Sequence, residues 1–257
     1  MKGSIIGDIT GAPFEFSNKK DINFEYDTNR ERYTDDSILT IATMKAILEN
    51  ISYEEATDKL TRQYKDVGYG PGFYSWIQLS IKRPYFSCGN GAAMRISPIA
   101  YAFKTEEEVL IEAEKSVSFT HNHPEGIKGG QAIAMATFLA LNGKTKEDIK
   151  GYVESRFNYD LSRKIANFKP FYAFDASCMG SVPEAIICFL EASSYEETIR
   201  NAIALGGDAD TLACMAGGIA EAFYKDIPEH LEQRLDLLTD DLREIVELFY
   251  EKYNKIH

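Results

Sequence analysis

Two short acidic clusters carry most of the chemical content of this 257-residue chain: Thr34-Asp35-Asp36 and Asp208-Ala209-Asp210-Thr211. Each sets a threonine hydroxyl beside two carboxylates. Each also leads into an apolar run, Ser37-Ile38-Leu39-Thr40-Ile41-Ala42 in the first case and Leu212-Ala213-Cys214-Met215-Ala216 in the second. Carboxylates entering apolar helices are costly unless something offsets their charge. Four Asp and two Thr form an all-oxygen ligand set, which suits Mg²⁺, Ca²⁺ or Mn²⁺ and disfavours zinc. Taken singly, either cluster reads as a helix cap, because Asp and Thr cap N-termini and acidic groups favour the first turn. Two clusters of one composition point further, to a fold that brings them together around one or two hard cations. Gly206-Gly207 ahead of the second would let the backbone approach a ligand closely.

Four other segments hold more polar and small residues than a connection requires. In Gly7-Asp8-Ile9-Thr10-Gly11-Ala12-Pro13-Phe14-Glu15-Phe16 the small residues imply a chain packed tightly beside a site. Burial of Glu15 between Phe14 and Phe16 would raise its pKa and suit it to proton transfer; on these residues alone, Glu15 pointing outward between two anchoring rings is the simpler reading. Cys88-Gly89-Asn90-Gly91-Ala92-Ala93-Met94-Arg95 is a Gly-Asn-Gly turn opening an apolar helix, read as an anion cradle or an ordinary connection. It lacks the Lys-Ser/Thr of a Walker loop, and the role expected of Arg95 is a salt bridge. Thr120-His121-Asn122-His123-Pro124 has no third nitrogen or sulfur ligand for zinc, so its histidines are expected to bond a substrate or cap the helix starting at Pro124. Asp175 to Pro183 is a small-residue loop in which Ser181 reads as an N-cap. No serine or cysteine sits in a nucleophile elbow.

The elements that position these segments read as helices. Apolar residues recur at spacings of three and four from Leu212 to Tyr224 and from Leu242 to Tyr253. Capping signals open at Ser52, Thr105, Ser194 and, more weakly, Thr145, while Pro124, Pro183 and Pro228 stand where a first-turn proline starts a helix. The expected helices cover 35–49, 53–66, 91–103, 106–118, 124–142, 146–156, 182–192, 195–205, 209–225 and 240–254. Convincing period-2 strands are missing. An all-α, compact multi-helix globule follows, with one domain over 1–257 because no Pro-rich, Ser/Gly-rich or low-complexity linker interrupts the chain.

Composition bounds the function. A hydrophobic content of 44% supports a large core, and the formal charge of −12 argues against broad nucleic-acid or anionic-membrane binding. Cys88, Cys178, Cys188 and Cys214 lack metal-ligand spacing and fit free thiols in a reducing compartment. The first residues hold too short an apolar run for a signal peptide, and no run approaches the roughly 20 apolar residues of a membrane span. A cytoplasmic location is expected.

Taken in order, the segments resemble the ADP-ribosylglycohydrolase family, which includes dinitrogenase reductase-activating glycohydrolases and ADP-ribosyl-acceptor hydrolases. The matching residues are Gly7-Asp8, Gly11 to Glu15, Tyr33 to Ser37, Gly89 to Arg95, Thr120 to Pro124 and Gly206 to Ala213, spanning nearly the whole chain. The resemblance implies an all-α fold with a dinuclear Mg²⁺ centre, sometimes Mn²⁺, in a central cleft. It implies Thr34, Asp35, Asp36, Asp208, Asp210 and Thr211 as metal ligands, with Asp210 bridging. Glu15 matches an acidic residue beside the metals. Gly89, Asn90, Gly91 and Met94 match the loop holding the ribose and diphosphate, and His121 a residue reaching the ribose or phosphate. Ser37 departs from the family's usual Thr but keeps the hydroxyl. The implied partner is an ADP-ribosylated protein or other ADP-ribosyl adduct, and the implied reaction is hydrolysis at C1″ of the ribose, with Glu15, Asp36 and Asp210 as the catalytic carboxylates. Two other readings stand beside it: a dinuclear-metal nucleotide phosphoesterase or diphosphatase, which would release AMP, and a non-catalytic ADP-ribose-binding or structural member. The aromatic and glycine-rich stretch 66–87 is the expected acceptor wall, with Trp76 expected in the core.

Overall fold

The computed structural model describes residues 1–17 and 19–254, and the part of the single-domain reading that covers Asn18 and 255–257 lies outside them. Its longer helices are α1 (Lys2–Gly11), α2 (Asp35–Glu49), α3 (Tyr53–Gln63), α4 (Pro71–Gln78), α5 (Glu106–Ser118), α6 (Pro124–Leu141), α7 (Lys146–Phe157), α8 (Cys178–Glu191), α9 (Tyr195–Ile203), α10 (Ala209–Tyr224) and α11 (Asp240–Tyr253). Among the described residues there is no strand, only an isolated antiparallel bridge between Gly89 and Ser177. The all-α expectation holds.

Local chemistry starts most of these helices. Thr105 and Thr145 form complete capping boxes with Glu108 and Asp148. Ser52 and Ser194 cap through their hydroxyls, accepting from Glu55 N and Glu197 N. Pro124 occupies the first position of α6, behind a cap made by His123.

The segment Gly7–Phe16, read as a chain packed tightly beside a site, packs so, and it contains the end of helix α1 and the turn Ala12–Phe14. In α1, Gly3, Gly7 and Gly11 form one stripe laid on α10: a β-carbon at Gly11 would come within 2.6 Å of the Asp210 Cα, and one at Gly7 would strike the Ala213 carbonyl. The glycines encode helix-to-helix approach, which lowers helix propensity while making the packing possible. Three readings are corrected. The expected helix 91–103 is two pieces, Gly91–Met94 and Ser97–Ala102. Pro98 has no N–H for the Met94 carbonyl, which accepts instead from Thr40 Oγ1 and Cys214 Sγ, both at 3.3 Å. Helix α8 begins at Cys178, capped by Ser177, with Pro183 inside it; Ser181 is no cap, and its hydroxyl donates to the Ser177 carbonyl at 2.7 Å. The stretch 66–87 contains α4, whose Trp76 is fully buried, as expected.

The core forms where α6, α8 and α10 pack together, with α1 and α9 against α10. A second apolar cluster joins the other faces of α1 and α2 to α11. Helices α1, α2 and α10 thereby converge with the N-termini of α2 and α10 side by side.

Candidate metal centre

Helix α1 contributes Asp8, which is fully buried. Its Oδ2 accepts from Thr34 N at 3.0 Å, from Ser37 N at 3.1 Å and from the Ser37 hydroxyl, and its Oδ1 accepts from Thr34 Oγ1 at 2.6 Å. One carboxylate thus fixes the first turn of α2. Thr34 is also the cap of that helix, accepting from Asp36 N at 3.3 Å. The retained hydroxyl of Ser37 has a definite task here, as a donor to Asp8.

The turn aims Asp36 inward. Its Oδ2 accepts from Thr211 Oγ1 of α10 at 3.3 Å, while its buried Oδ1 has no partner among the described residues. At the start of α10, Asp208 accepts from Asn90 Nδ2 at 2.7 Å, and Asp210 Oδ1 accepts from Thr211 N at 2.9 Å. Asp8, Asp36 and Asp210 each offer an oxygen within 4.8 Å of the others, and so do Glu15, Asp208 and Asp210. Asp210 belongs to both groups. Asp35 belongs to neither: it is partly exposed, its amide donates to the Val67 carbonyl at 3.0 Å, and the nearby positive charge is Arg95.

Such crowding raises the proton affinity of every member. Asp36 and Asp210 are pushed well above the usual carboxylate range, by burial first and then by neighbouring carboxylates. Asp8 and Asp208 are raised chiefly by burial, against opposing hydrogen bonds. Glu15, half-buried, is pushed up to about 7 by burial and by the charge of Asp208. No Lys or Arg forms an ion pair with any of these five groups among the described residues. An all-oxygen cluster with an orphaned buried oxygen and no ion-paired Lys or Arg among the described residues fits hard cations.

Beside it runs the Gly89–Arg95 loop. The amides of Gly89, Asn90, Ala92, Ala93 and Met94 are committed to Ser87 Oγ and to backbone carbonyls. The loop is therefore no row of free N–H donors, and its link to the centre is the Asn90 side chain on Asp208. Met94 is buried, with its carbonyl tying α2 to α10. His121 is buried against the loop, and a β-carbon on Gly91 would meet its Nε2 at 2.9 Å. Its Nδ1 pairs with Thr120 Oγ1 at 2.8 Å, and burial followed by the Arg95 charge holds its pKa well below normal, so the ring is neutral. Among the described residues Arg95 makes no salt bridge: its fully buried guanidinium donates through Nε to the Gly91 carbonyl and lies 5.2 Å from the Phe73 ring.

Sequence reasoning left Asp8 unassigned. The signal that could have found it was the spacing of Gly3, Gly7 and Gly11, which makes the segment a helix with Asp8 beside the contact stripe.

A family model described as ADP-ribosylglycohydrolase matches residues 1–256. The chain is 26% identical to human ADP-ribosylhydrolase ARH3 over 318 residues, covering 91% of this chain and 87% of that protein. It is 24% identical to the ADP-ribosyl-[dinitrogen reductase] glycohydrolase of Rhodospirillum rubrum, covering 91% and 88% of the two chains. A solved structure titled ADP-ribosylglycohydrolase-related protein complex superposes with a TM-score of 0.73 at 21% identity, over 97% of this chain and 94% of the other.

Proposed function

The chain belongs to the ADP-ribosylglycohydrolase family, and from that premise we propose that it hydrolyses the C1″ glycosidic bond of ADP-ribosylated acceptors and releases ADP-ribose. The observation that carries the reading is the pair of acidic groups sharing Asp210, with the buried Asp36 Oδ1 left unpartnered. Two Mg²⁺ ions, or Mn²⁺, are the proposed occupants, held by Asp36, Asp208 and Asp210 with Thr34 and Thr211 alongside. Asp35, next to Asp36 in the same turn, is the remaining carboxylate proposed as a ligand, and Asp8 braces the turn. Bound cations would supply the positive charge that orients the ribose hydroxyls and activates water.

The side chains divide the remaining work. Glu15, with its pKa pushed up to about 7, is poised near neutral pH to accept a proton from the attacking water; Asp36 is the other carboxylate placed for it. Carboxylates around C1″ stabilise the positive charge that develops on the sugar in the transition state. Neutral His121 and Asn90 border the loop proposed to hold the ribose and diphosphate, together with Gly89, Gly91 and Met94. The free thiols fit a reducing, cytoplasmic setting, and no described helix is long and apolar enough to cross a membrane.

The test is hydrolysis of ADP-ribosyl-arginine and ADP-ribosyl-serine peptides with Mg²⁺ and with EDTA, products resolved by mass. Cation-dependent release of intact ADP-ribose is expected. Release of AMP would replace this reading with diphosphate cleavage.

A further inference from the structure

Beyond the acidic centre, one contact at its rim has no role in the chemistry described so far. Glu15 follows the short turn Ala12–Phe14 and precedes Phe16, a non-glycine residue at φ 61°. That left-handed conformation is unfavourable for a residue with a β-carbon, and such strain persists only where surroundings hold it. The core does not hold Phe16, whose ring is 72% exposed. What holds it is a clasp of three segments. Phe16 N donates to the Gly207 carbonyl at 3.0 Å, and Gly207 N donates to the Ser17 carbonyl at 3.1 Å. The Phe16 ring stacks on Phe174, centroids 5.1 Å apart and planes at 26°. Phe174 is itself seated on Gly207, since a β-carbon there would meet the Phe174 N and Cα at 2.9 Å.

Gly207 immediately precedes Asp208, and Glu15 immediately precedes Phe16. The clasp therefore sets the separation of the Glu15 carboxylate from Asp208 and Asp210. We propose that Phe174 is a positioning residue that, stacked on Phe16, holds the Glu15 turn against the acidic centre. The proposal rests on the glycohydrolase reading for its catalytic consequence, and on geometry alone for its structural one. An exposed aromatic pair is not needed to bury surface, and stacking of this kind is comparable in strength to the strain it opposes.

The test compares the full chain with Phe174→Ala and Phe174→Tyr, using amide hydrogen exchange and steady-state kinetics on an ADP-ribosyl peptide with Mg²⁺. In Phe174→Ala, exchange in the peptide containing residues 14–17 should rise about threefold to tenfold, the population shift expected from losing one aromatic pair. The kcat should fall by a similar factor with KM unchanged. Phe174→Tyr, which keeps the ring, should restore both. Phe174 is 47% exposed, so the helical CD signal and the melting midpoint should hold. Unchanged exchange at 14–17 would overturn the proposal. So would a raised KM at unchanged kcat, which would make the ring a substrate wall. Failure of the parent protein to release ADP-ribose would count against the glycohydrolase reading, and the clasp would then be decided by exchange alone.

Discussion

Asp8 and Ser37 lie 29 residues apart, yet the Asp8 carboxylate accepts from both the amide and the hydroxyl of Ser37. That relationship locks α1 to the first turn of α2 and turns Asp36 toward α10. Asp8→Asn replaces an acceptor oxygen with a donor facing other donors, so a loss of about 1–3 kcal/mol is expected, read as a lower midpoint in denaturant. A midpoint equal to the parent's would mean that the α2 terminus is held by other contacts.

Asp210 is shared by both acidic groups, so Asp210→Asn should abolish cation-dependent activity with the helical CD signal intact, as should Asp208→Asn. In the parent, Mg²⁺ at about 100 times its Kd should stabilise by roughly 2.7 kcal/mol, and in Asp210→Asn this increment should largely vanish. Without cation the variant should melt higher than the parent, because one repelling buried carboxylate is gone. Full activity in both variants would remove the metal-centre proposal.

Glu15→Gln keeps size and removes the base. Turnover should fall about 10²-fold or more, with ADP-ribose affinity by calorimetry changed far less. Loss of binding instead would make Glu15 an organiser of the site.

The raised carboxyl pKa values set a sign for pH dependence. Glu15 moves from 4.5 to about 7, so in that window the folded state binds more protons than the unfolded one. Stability then falls as pH rises through the window; Asp36 and Asp210 act in the same direction. Thermal melts in EDTA should show midpoints declining from about pH 4.5 to about pH 7, with saturating Mg²⁺ flattening the slope. A rise across that window in EDTA would contradict the assignment.

The α1–α10 contact has no room at Gly7, where a β-carbon would strike the Ala213 backbone. Gly7→Ala should destabilise by about 1–3 kcal/mol despite its better helix propensity, measured by chemical denaturation. It should also weaken Mg²⁺ binding, because Asp8 moves with α1.

Most helix starts were legible because a cap is a local event. Thr34, Ser52, Thr105, Thr145 and Ser194 each bond an amide two or three residues ahead, so type and spacing suffice. Residue chemistry also nominated the two acidic clusters as oxygen ligands for hard cations. The cap read at Ser181, the first-turn place read for Pro183 and the single helix read over 91–103 failed because competing local signals lie within a few residues of one another, and only the packed helices select among them. Whether Asp36 faces Asp210, and why Asp8 reaches Thr34 and Ser37, depend on how closely α1, α2 and α10 approach. That approach is set by Gly3, Gly7 and Gly11 meeting α10 about 200 residues away in sequence, as where a β-carbon on Gly3 would strike the Gly217 carbonyl. A sequence pattern records which face of a helix is small; the distance between two carboxylates exists only once those faces are in contact.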